Sequence, residues 1–442
     1  MRTGIKTAAR HLLRRVSHPR GFDPQTFPRR PLSTTVIRAR LADVGWNLAD
    51  RPIGYNMGSL YTSPHPLSVH AYRTLVHANP GHLGSYDETS LRYADTTTME
   101  YEVIRKMADL YNAPRDVTGY ITSGGTEGNL YAFWQGQSFV APRGKSCLLV
   151  TPLTHYSVKK AGAIAAKDTY AVALEQDTWG MNAEDFRRRV LTLYRRGYRG
   201  FIVCLTEGYS TTGTGDNTTA ITREAKKLRS SLRGIEFYFW IDAALNGLVL
   251  PFRERGFSPF ANPEIAAVVV DFHKFGLAPY PAGIVLYRNK FMRGISSPID
   301  YLPQRDTTVS GSRSGIPAAA VWAGIHAVGA RGLKDIVSRQ TANKQWCITH
   351  LAIAGDAIRI ITDAGSVTMG MMFPTLSNGR LPRWLEQKYW LYAGRTDSYG
   401  LPDMQKSLYK VFFLPHLTRR VVSEFTRDIL SVVATTKNAS KK

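Results

Sequence analysis

Short apolar runs alternate with amphipathic stretches between about residue 95 and residue 290. The apolar runs have the length of buried strands, and the stretches between them repeat apolar residues at helical spacing. This alternation predicts an α/β fold with a mostly parallel sheet. The predicted strands are 117–122, 147–151, 171–175, 201–208, 237–244, 266–272 and 283–288. The predicted helices are 101–111, one beginning near Glu127, 155–166, 182–196 and 222–233.

The pattern changes after Gly332, where helical segments return and two strand-like runs follow, at 366–374 and 408–415. These segments predict a smaller C-terminal α+β domain. We therefore expect three parts. They are an N-terminal arm and linker (1–70), a large domain (71–330) and a small domain (331–435).

Composition excludes several classes of protein. Of the 442 residues, 43% are hydrophobic and 21% are charged, which is an ordinary globular balance and argues against disordered or fibrous chains. The three cysteines are widely spaced and predict neither a disulfide framework nor a metal site, so a reducing compartment such as the cytoplasm is expected. No apolar run is long enough for a membrane span.

The net charge of +23 indicates an anionic partner or a solvated basic surface. Residues 1–40 contain ten arginines and lysines against one aspartate. This arm is a mitochondrial transit peptide in one interpretation, if the source is eukaryotic. The alternatives are a flexible arm or a segment that packs on a partner subunit. No nucleic-acid-binding motif is present, so we expect no nucleic-acid partner.

The residues that suggest chemistry follow the predicted strands, at the sheet edge where α/β proteins bind ligands. Gly124, Gly125 and Thr126 lie in the turn TSGGTEGN, which opens a helix and favours a phosphate. An ordinary loop or helix cap is the alternative, and the turn is neither a Walker loop nor GxGxxG. Asp242 also ends a strand, either for function or as an ion pair or helix cap.

His273 and Lys274 end the next apolar strand. The lysine either reaches solvent along its aliphatic stem or is a desolvated amine of lowered pKa, suited to Schiff-base chemistry. His155 begins a helix, where a lone histidine is usually structural. The order of these features along the chain is more informative than any one of them.

In that order the sequence resembles the pyridoxal-phosphate-dependent amino-acid decarboxylases of fold type I, nearest the histidine/serine decarboxylase branch. The resemblance covers roughly residues 80 to 432. Its markers are GYITSGGTEGN (119–129), THYSVKKA (154–161), EGYSTTGTGD (207–216), IDAALNGLVLPF (241–252), HKFGLAPYPAGIVL (273–286), IDYLPQRDTTVSGSRSG (299–315) and KVFFLPHLT (410–418).

The resemblance implies a role for each matching residue. Lys274 would form the Schiff base with pyridoxal phosphate, Asp242 would pair with the pyridinium nitrogen, and His155 would stack on the ring. Gly124, Gly125, Thr126 and His273 would hold the phosphate, Ser210 would contact the ring hydroxyl, and Ala244 would pack beneath the ring. Arg313 would bind a carboxylate or bridge subunits.

The implied reaction is decarboxylation of an L-amino acid through a quinonoid to the amine and carbon dioxide, in a homodimer with its site at the subunit boundary. The alternatives are a carbon–carbon lyase of the sphingosine-phosphate type, a decarboxylating oxidase, or a non-catalytic anion-binding protein that kept the fold. The substrate side chain is not specified.

Departures from the family pattern make histidine a doubtful substrate, because Ser314 and Ile316 replace the Asn and His of the histidine decarboxylase pattern GSRNGH. Trp240 stands where many relatives have histidine, and we regard it as a candidate substrate contact. Asp271 stands where Ser or Asn often helps to hold the phosphate, so we expect it to point away or meet a cation. Tyr301 is a candidate proton donor, with a packed aromatic as the alternative.

Overall fold

A computed structural model describes residues 31–49, 53–84, 96–253, 256–292, 294–300, 305–395 and 407–439. The basic segment 1–30 and Tyr301 lie outside these ranges. The chain forms two compact units, residues 1–53 and residues 54–442. The described part of the first unit is mainly one helix, and the second unit contains the sheets.

The described helices and strands follow in chain order. The helices are α1 (Thr34–Ala49), α2 (Pro66–Leu75), α3 (Thr96–Leu110), α4 (Gly125–Val140), α5 (Tyr156–Ile164), α6 (Ala183–Arg195), α7 (Thr218–Ser231), α8 (Ile316–Leu351), α9 (Arg383–Tyr389) and α10 (Arg419–Ala439). The strands are β1 (Gly81–His82), β2 (Val117–Thr122), β3 (Ser146–Val150), β4 (Thr169–Ala171), β5 (Gly200–Thr206), β6 (Glu236–Asp242), β7 (Ile265–Asp271), β8 (Gly283–Arg288), β9 (Ser297–Pro298), β10 (Arg305–Asp306), β11 (Arg313–Ser314), β12 (Arg359–Ile361), β13 (Thr368–Met372), β14 (Ala393–Arg395) and β15 (Ser407–Phe412).

The large sheet has the strand order β2-β8-β7-β6-β5-β3-β4. Strand β8 is antiparallel to both of its neighbours, and the other pairs are parallel. The carboxyl ends of β2, β3, β5, β6 and β7 therefore meet at one edge. This sheet confirms the predicted α/β class with a mostly parallel sheet.

Both faces of the large sheet are covered. Phe239 and Ile241 pack in one apolar cluster, whereas Tyr238 and Trp240 pack in another on the opposite face. Every residue of β7 is buried. A strand covered on both faces reads as a continuous apolar run, which explains why β7 stands out in the sequence.

A second sheet, of order β12-β13-β15-β14, is antiparallel throughout and follows the long helix α8. Its strands β13 and β15 correspond to the predicted runs 366–374 and 408–415. Helix α8 passes through residue 330 with a non-helical backbone at Gly329. The structure thus has the smaller C-terminal domain that was expected, while its boundaries stay a prediction.

The strand predicted at 171–175 begins and ends earlier in the chain than expected. The strand is β4, at Thr169–Ala171, and it lies at the edge of the large sheet. It is short and partly exposed, so its side chains give little hydrophobic pattern. None of the helices in the described ranges has the length and hydropathy needed to cross a bilayer.

Candidate active site

A cavity of about 350 Å³ opens where the parallel strands of the large sheet end. All nine residues expected to bind the cofactor lie on its wall. They are Gly124, Gly125, Thr126, His155, Ser210, Asp242, Ala244, His273 and Lys274. The chain brings them together because the loops that follow β2, β3, β5, β6 and β7 all lie at this edge.

Lys274 lies just beyond β7, in a 3₁₀ turn formed by His273–Phe275. Its side chain is 16% exposed, and Nζ lies 2.8 Å from Asp271 Oδ2. Burial acts to lower the pKa of Lys274, but the charges of Asp271 and Asp242 outweigh burial and raise it. The side chain does not extend into bulk solvent, and its pKa is not lowered as expected for a desolvated amine, because an acid three residues earlier pairs with it. The Schiff-base role of Lys274 stays a prediction.

Asp242 is buried at the end of β6 and is held by amide groups. Asn129 Nδ2 donates to Oδ2 at 2.8 Å, and the Ala244 backbone N–H donates to Oδ1 at 3.2 Å. Asn129 is itself fixed, because Trp240 Nε1 donates to its Oδ1 at 3.0 Å. Within the described ranges no ion pair to Asp242 is present, so the alternatives of an ion pair and a helix cap do not describe it.

His155 caps the start of α5. Its Nδ1 lies 2.8 Å from Ser157 Oγ, and Asn129 Nδ2 lies 3.0 Å from the same hydroxyl. Burial lowers the pKa of His155 against the raising effect of Asp242, and the charge of Lys274 adds to the lowering. The ring is therefore neutral, and one short network joins it to Asn129 and Asp242.

The turn before α4 is shaped for a close approach. Gly124 has φ of +138°, a backbone conformation that side chains rarely adopt. A Cβ on Gly125 would lie 3.0 Å from Asp271 Oδ2 and 3.6 Å from Ala244 Cβ. The amide groups at the start of α4 can thus receive an anion, and this turn fits a phosphate.

His273 and Asp271 lie beside that turn. His273 Nδ1 is 2.7 Å from the Ala282 carbonyl, and burial lowers the pKa of the ring. Asp271 meets a cation, Lys274, as the sequence suggested. Its other oxygen, Oδ1, is buried and has no hydrogen-bond partner among the residues that the structure describes. A buried polar atom that has no described hydrogen-bond partner, next to the Gly124–Gly125 turn, is consistent with a site built for a polar ligand.

Two candidate substrate residues lie elsewhere. Arg313 is buried, with Nη1 2.7 Å from Glu100 Oε1 and 3.0 Å from the Ile121 carbonyl. Trp240 is buried within the sheet and reaches the site only through Asn129. Neither lies on the cavity wall, because both side chains are already held by buried partners. A direct substrate contact by either residue is therefore not supported.

Sequence reasoning missed several residues that shape the site. Asn129 and Lys410 were inside quoted motifs but received no role. Tyr280 also lies inside a quoted motif without an assigned role, and Leu60 lines the cavity from a loop outside the resemblance. Their positions depend on contacts between distant parts of the chain, such as Tyr280 Oη donating to the Leu60 carbonyl at 3.2 Å.

Comparison with known proteins assigns the family. The conserved domain of pyridoxal-dependent decarboxylases matches residues 89–370, which is more than half of the chain. The protein belongs to this family. It is a pyridoxal-phosphate-dependent amino-acid decarboxylase, as the resemblance implied. The family match does not confirm the narrower histidine/serine branch.

Relatives and solved structures agree with this family. A probable L-aspartate decarboxylase of Pyrococcus abyssi is 27% identical over 86% of this chain and 92% of that protein. An L-aspartate/L-glutamate decarboxylase of Pyrococcus horikoshii is 28% identical over the same shares. The structure of L-methionine decarboxylase from Streptomyces sp. 590 has a TM-score of 0.77 and 18% identity, covering 94% of this chain and 99% of that chain. This last likeness shows the fold.

Proposed function

We propose that the cavity binds pyridoxal phosphate through Lys274 and decarboxylates an L-amino acid to the amine and carbon dioxide. The main support is the placement of Lys274 and Asp242 on the walls of one cavity that also contains the Gly124–Thr126 turn. Pyridoxal phosphate, when bound, supplies a ring that accepts the electrons of the bond to the leaving carboxyl group. The protein supplies position and charge.

Asp242 holds a negative charge where the pyridinium nitrogen would lie. Its two oxygens are fixed by Asn129 and the Ala244 backbone, so the carboxylate is already oriented before a ligand arrives. Trp240 is a positioning residue in this scheme, because it fixes Asn129. Ala244 and Ser210 lie on the wall and would contact the ring and its hydroxyl.

His155 would lie against the cofactor ring as a neutral imidazole. Ser157 fixes its orientation through Nδ1. A neutral ring avoids placing a second cation beside Lys274, and its position on the wall keeps water from that side of the reacting bond. Gly124, Gly125, Thr126 and His273 would hold the phosphate group.

Lys410 is our candidate for the substrate α-carboxylate. It shares a face of β15 with Phe412, two residues away, and Phe412 lines the cavity. Burial lowers the pKa of Lys410, and the charge of Lys410 contributes to the lowering of the pKa of His155. Among the described residues Lys410 has no acidic partner, so its charge is available to an incoming anion.

A homodimer is part of the proposal. Tyr156 is 64% exposed and Tyr280 is 47% exposed at the cavity, and a second subunit would cover these rings. Light scattering after size-exclusion chromatography tests this. We also propose a cytoplasmic location, supported by the archaeal sources of the relatives. These relatives give no support to mitochondrial targeting.

The test is a product assay with Lys274→Ala beside an exposed control, Lys334→Ala. The wild type and the control should bind pyridoxal phosphate with a visible absorbance and release amine and carbon dioxide from at least one amino acid. Lys274→Ala should lose both. An aldehyde or peroxide as the main product would instead favour the lyase or oxidase, and wild-type protein without cofactor absorbance would contradict the proposal.

A further inference from the structure

Outside the residues assigned to the cofactor, the cavity wall is largely apolar or aromatic. Leu60, Tyr156, Tyr280 and Phe412 line it. Tyr280 is held in place, because its ring stacks on Tyr61 with centroids 5.6 Å apart and lies 3.8 Å from the ring of His273. A fixed aromatic surface of this kind accepts an apolar side chain at little entropic cost.

Among the described residues around the cavity, no cation is available to pair with a second carboxylate on the substrate. Lys274 is paired with Asp271, and burial keeps His155 and His273 neutral. Among the residues that the structure describes, the wall contains no arginine. Among the described residues of the wall Lys274 is the one lysine, and Lys410, which lies two residues from the wall residue Phe412 and not on the wall itself, has been assigned to the α-carboxylate.

The acidic residues near the cavity also disfavour binding of a second substrate carboxylate. Asp242 and Asp271 lie on the wall, and Asp216 lies behind it, where its Oδ1 accepts a hydrogen bond from Tyr209. A substrate with a second carboxylate would lose its hydration, meet these acids and find no described cation for that group. A substrate with an apolar side chain avoids that cost.

We infer that the substrate is an L-amino acid with one carboxylate and a bulky apolar or aromatic side chain. We expect the acidic amino acids named for the Pyrococcus relatives to be poor substrates. This inference rests on the proposed function, since it concerns the same cavity and the same reaction. It adds Leu60, Tyr156, Tyr280 and Phe412 as the residues that select the side chain.

The first test compares amino acids of matched shape. L-leucine and L-aspartate have side chains of similar size and branching, one apolar and one charged. L-methionine and L-glutamate form a second pair, matched in length. With the cofactor-loaded enzyme, kcat/KM for the apolar member should exceed that of the acidic member at least about 100-fold. L-tyrosine and L-phenylalanine should also be accepted. Binding of each amino acid, followed through the absorbance of the bound cofactor, should show the same order.

The second test adds a cation to the wall. Leu60→Arg should raise the ratio of L-aspartate to L-leucine activity at least about 10-fold, whereas the uncharged control Leu60→Gln should change it little. Both substitutions change only the side chain at position 60. The backbone carbonyl that accepts the hydrogen bond from Tyr280 is therefore retained. Circular dichroism and cofactor absorbance show whether each variant is folded and loaded.

The outcomes separate the two proposals. Equal or better use of L-aspartate or L-glutamate by the wild type would overturn the substrate class and leave the decarboxylase proposal intact. The same holds if Leu60→Arg and Leu60→Gln behave alike. If loaded wild-type protein releases carbon dioxide from no amino acid, the proposed function itself fails.

Discussion

Asn129 Nδ2 lies 2.8 Å from Asp242 Oδ2, so an amide on α4 orients the acid at the end of β6. The amide also contacts Ser157 and is held by Trp240. Asp242 and His155 are both expected to contact the cofactor. One asparagine links them, directly to Asp242 and through Ser157 to His155. This link gives the first of four predictions.

Replacing Asn129 by Ala should weaken binding of pyridoxal phosphate by about 10-fold or more, because Asp242 and Ser157 both lose a donor. Trp240→Phe, which removes only the indole N–H, should weaken it less. Fluorescence titration of the apoprotein with the cofactor measures both. Gln135→Ala is the matched control, since Gln135 is a buried amide on the same helix that bonds Tyr238 away from the cavity. Equal cofactor affinity in the Asn129 variant and this control would contradict the prediction.

Asp271→Asn should lower the pKa of Lys274. The charge of Asp271 is the strongest of the influences that raise this pKa against burial, and the amide removes that charge. In the cofactor-free protein, Lys274 should then react with an amine-specific reagent at lower pH than in the wild type. Peptide mass spectrometry across a pH series gives the midpoint, with exposed Lys334 as the internal reference. An unchanged midpoint for Lys274 would show that Asp271 does not control it.

Glu207→Gln should make the protein more stable at alkaline pH. Burial, and then the charge of Asp216, raise the pKa of Glu207 to about 8. A carboxyl whose pKa is raised by folding stabilises the fold below its unfolded value, and this contribution is lost as the pH rises through about 8. Between pH 6 and pH 9 the wild type should therefore lose free energy of unfolding on the order of 2 kcal/mol more than the variant.

Urea unfolding at the two pH values measures this difference. Glu224→Gln is the control, because it makes the same replacement at a carboxylate that pairs with the exposed Lys227. Parallel stability curves for the wild type and Glu207→Gln would mean that Glu207 titrates normally.

Arg313→Met should destabilise the fold by roughly 3–5 kcal/mol, because it leaves Glu100 buried and unpaired. Burial alone would raise the pKa of Glu100, yet Arg313 and His82 hold it at about 2. The double variant Glu100→Gln, Arg313→Met should recover much of the loss. Lys106→Ala, at an exposed pair with Glu102, should cost less than about 1 kcal/mol.

Denaturant unfolding gives these energies, and kinetics give a second readout. The folded Arg313→Met enzyme should keep a KM close to that of the wild type, since the guanidinium does not line the cavity. A large rise in KM with little loss of stability would instead indicate that Arg313 contacts the substrate.

The sequence was enough to predict the sheet where strands are buried on both faces. Strands β2 and β8 fall at the predicted residues, because their runs are bounded by turns. Strand β4 was misplaced because an exposed edge strand imposes no pattern. The nine cofactor candidates reach one cavity because each ends or follows a strand whose carboxyl end lies at the same edge of the sheet.

Interactions between side chains could not be predicted in the same way. Asp271 was expected to point away or to meet a cation, but its effect on the pKa of Lys274 depends on a 2.8 Å contact and on burial. The pairing of Arg313 with Glu100 joins residues more than 200 positions apart. No local sequence pattern identifies a partner so far away along the chain. The role of Arg313 was therefore predicted from its motif alone.

The reversed direction of β8 has a practical consequence for labelling the protein. Gly283 begins this strand beside Asp271, and Arg288 ends it beside Val117 at the far edge of the sheet. A six-residue strand is about 20 Å long. A fluorophore on exposed Lys290, just beyond β8, would therefore sit across the sheet from the cavity. It would report opening of the sheet while leaving ligand entry unobstructed.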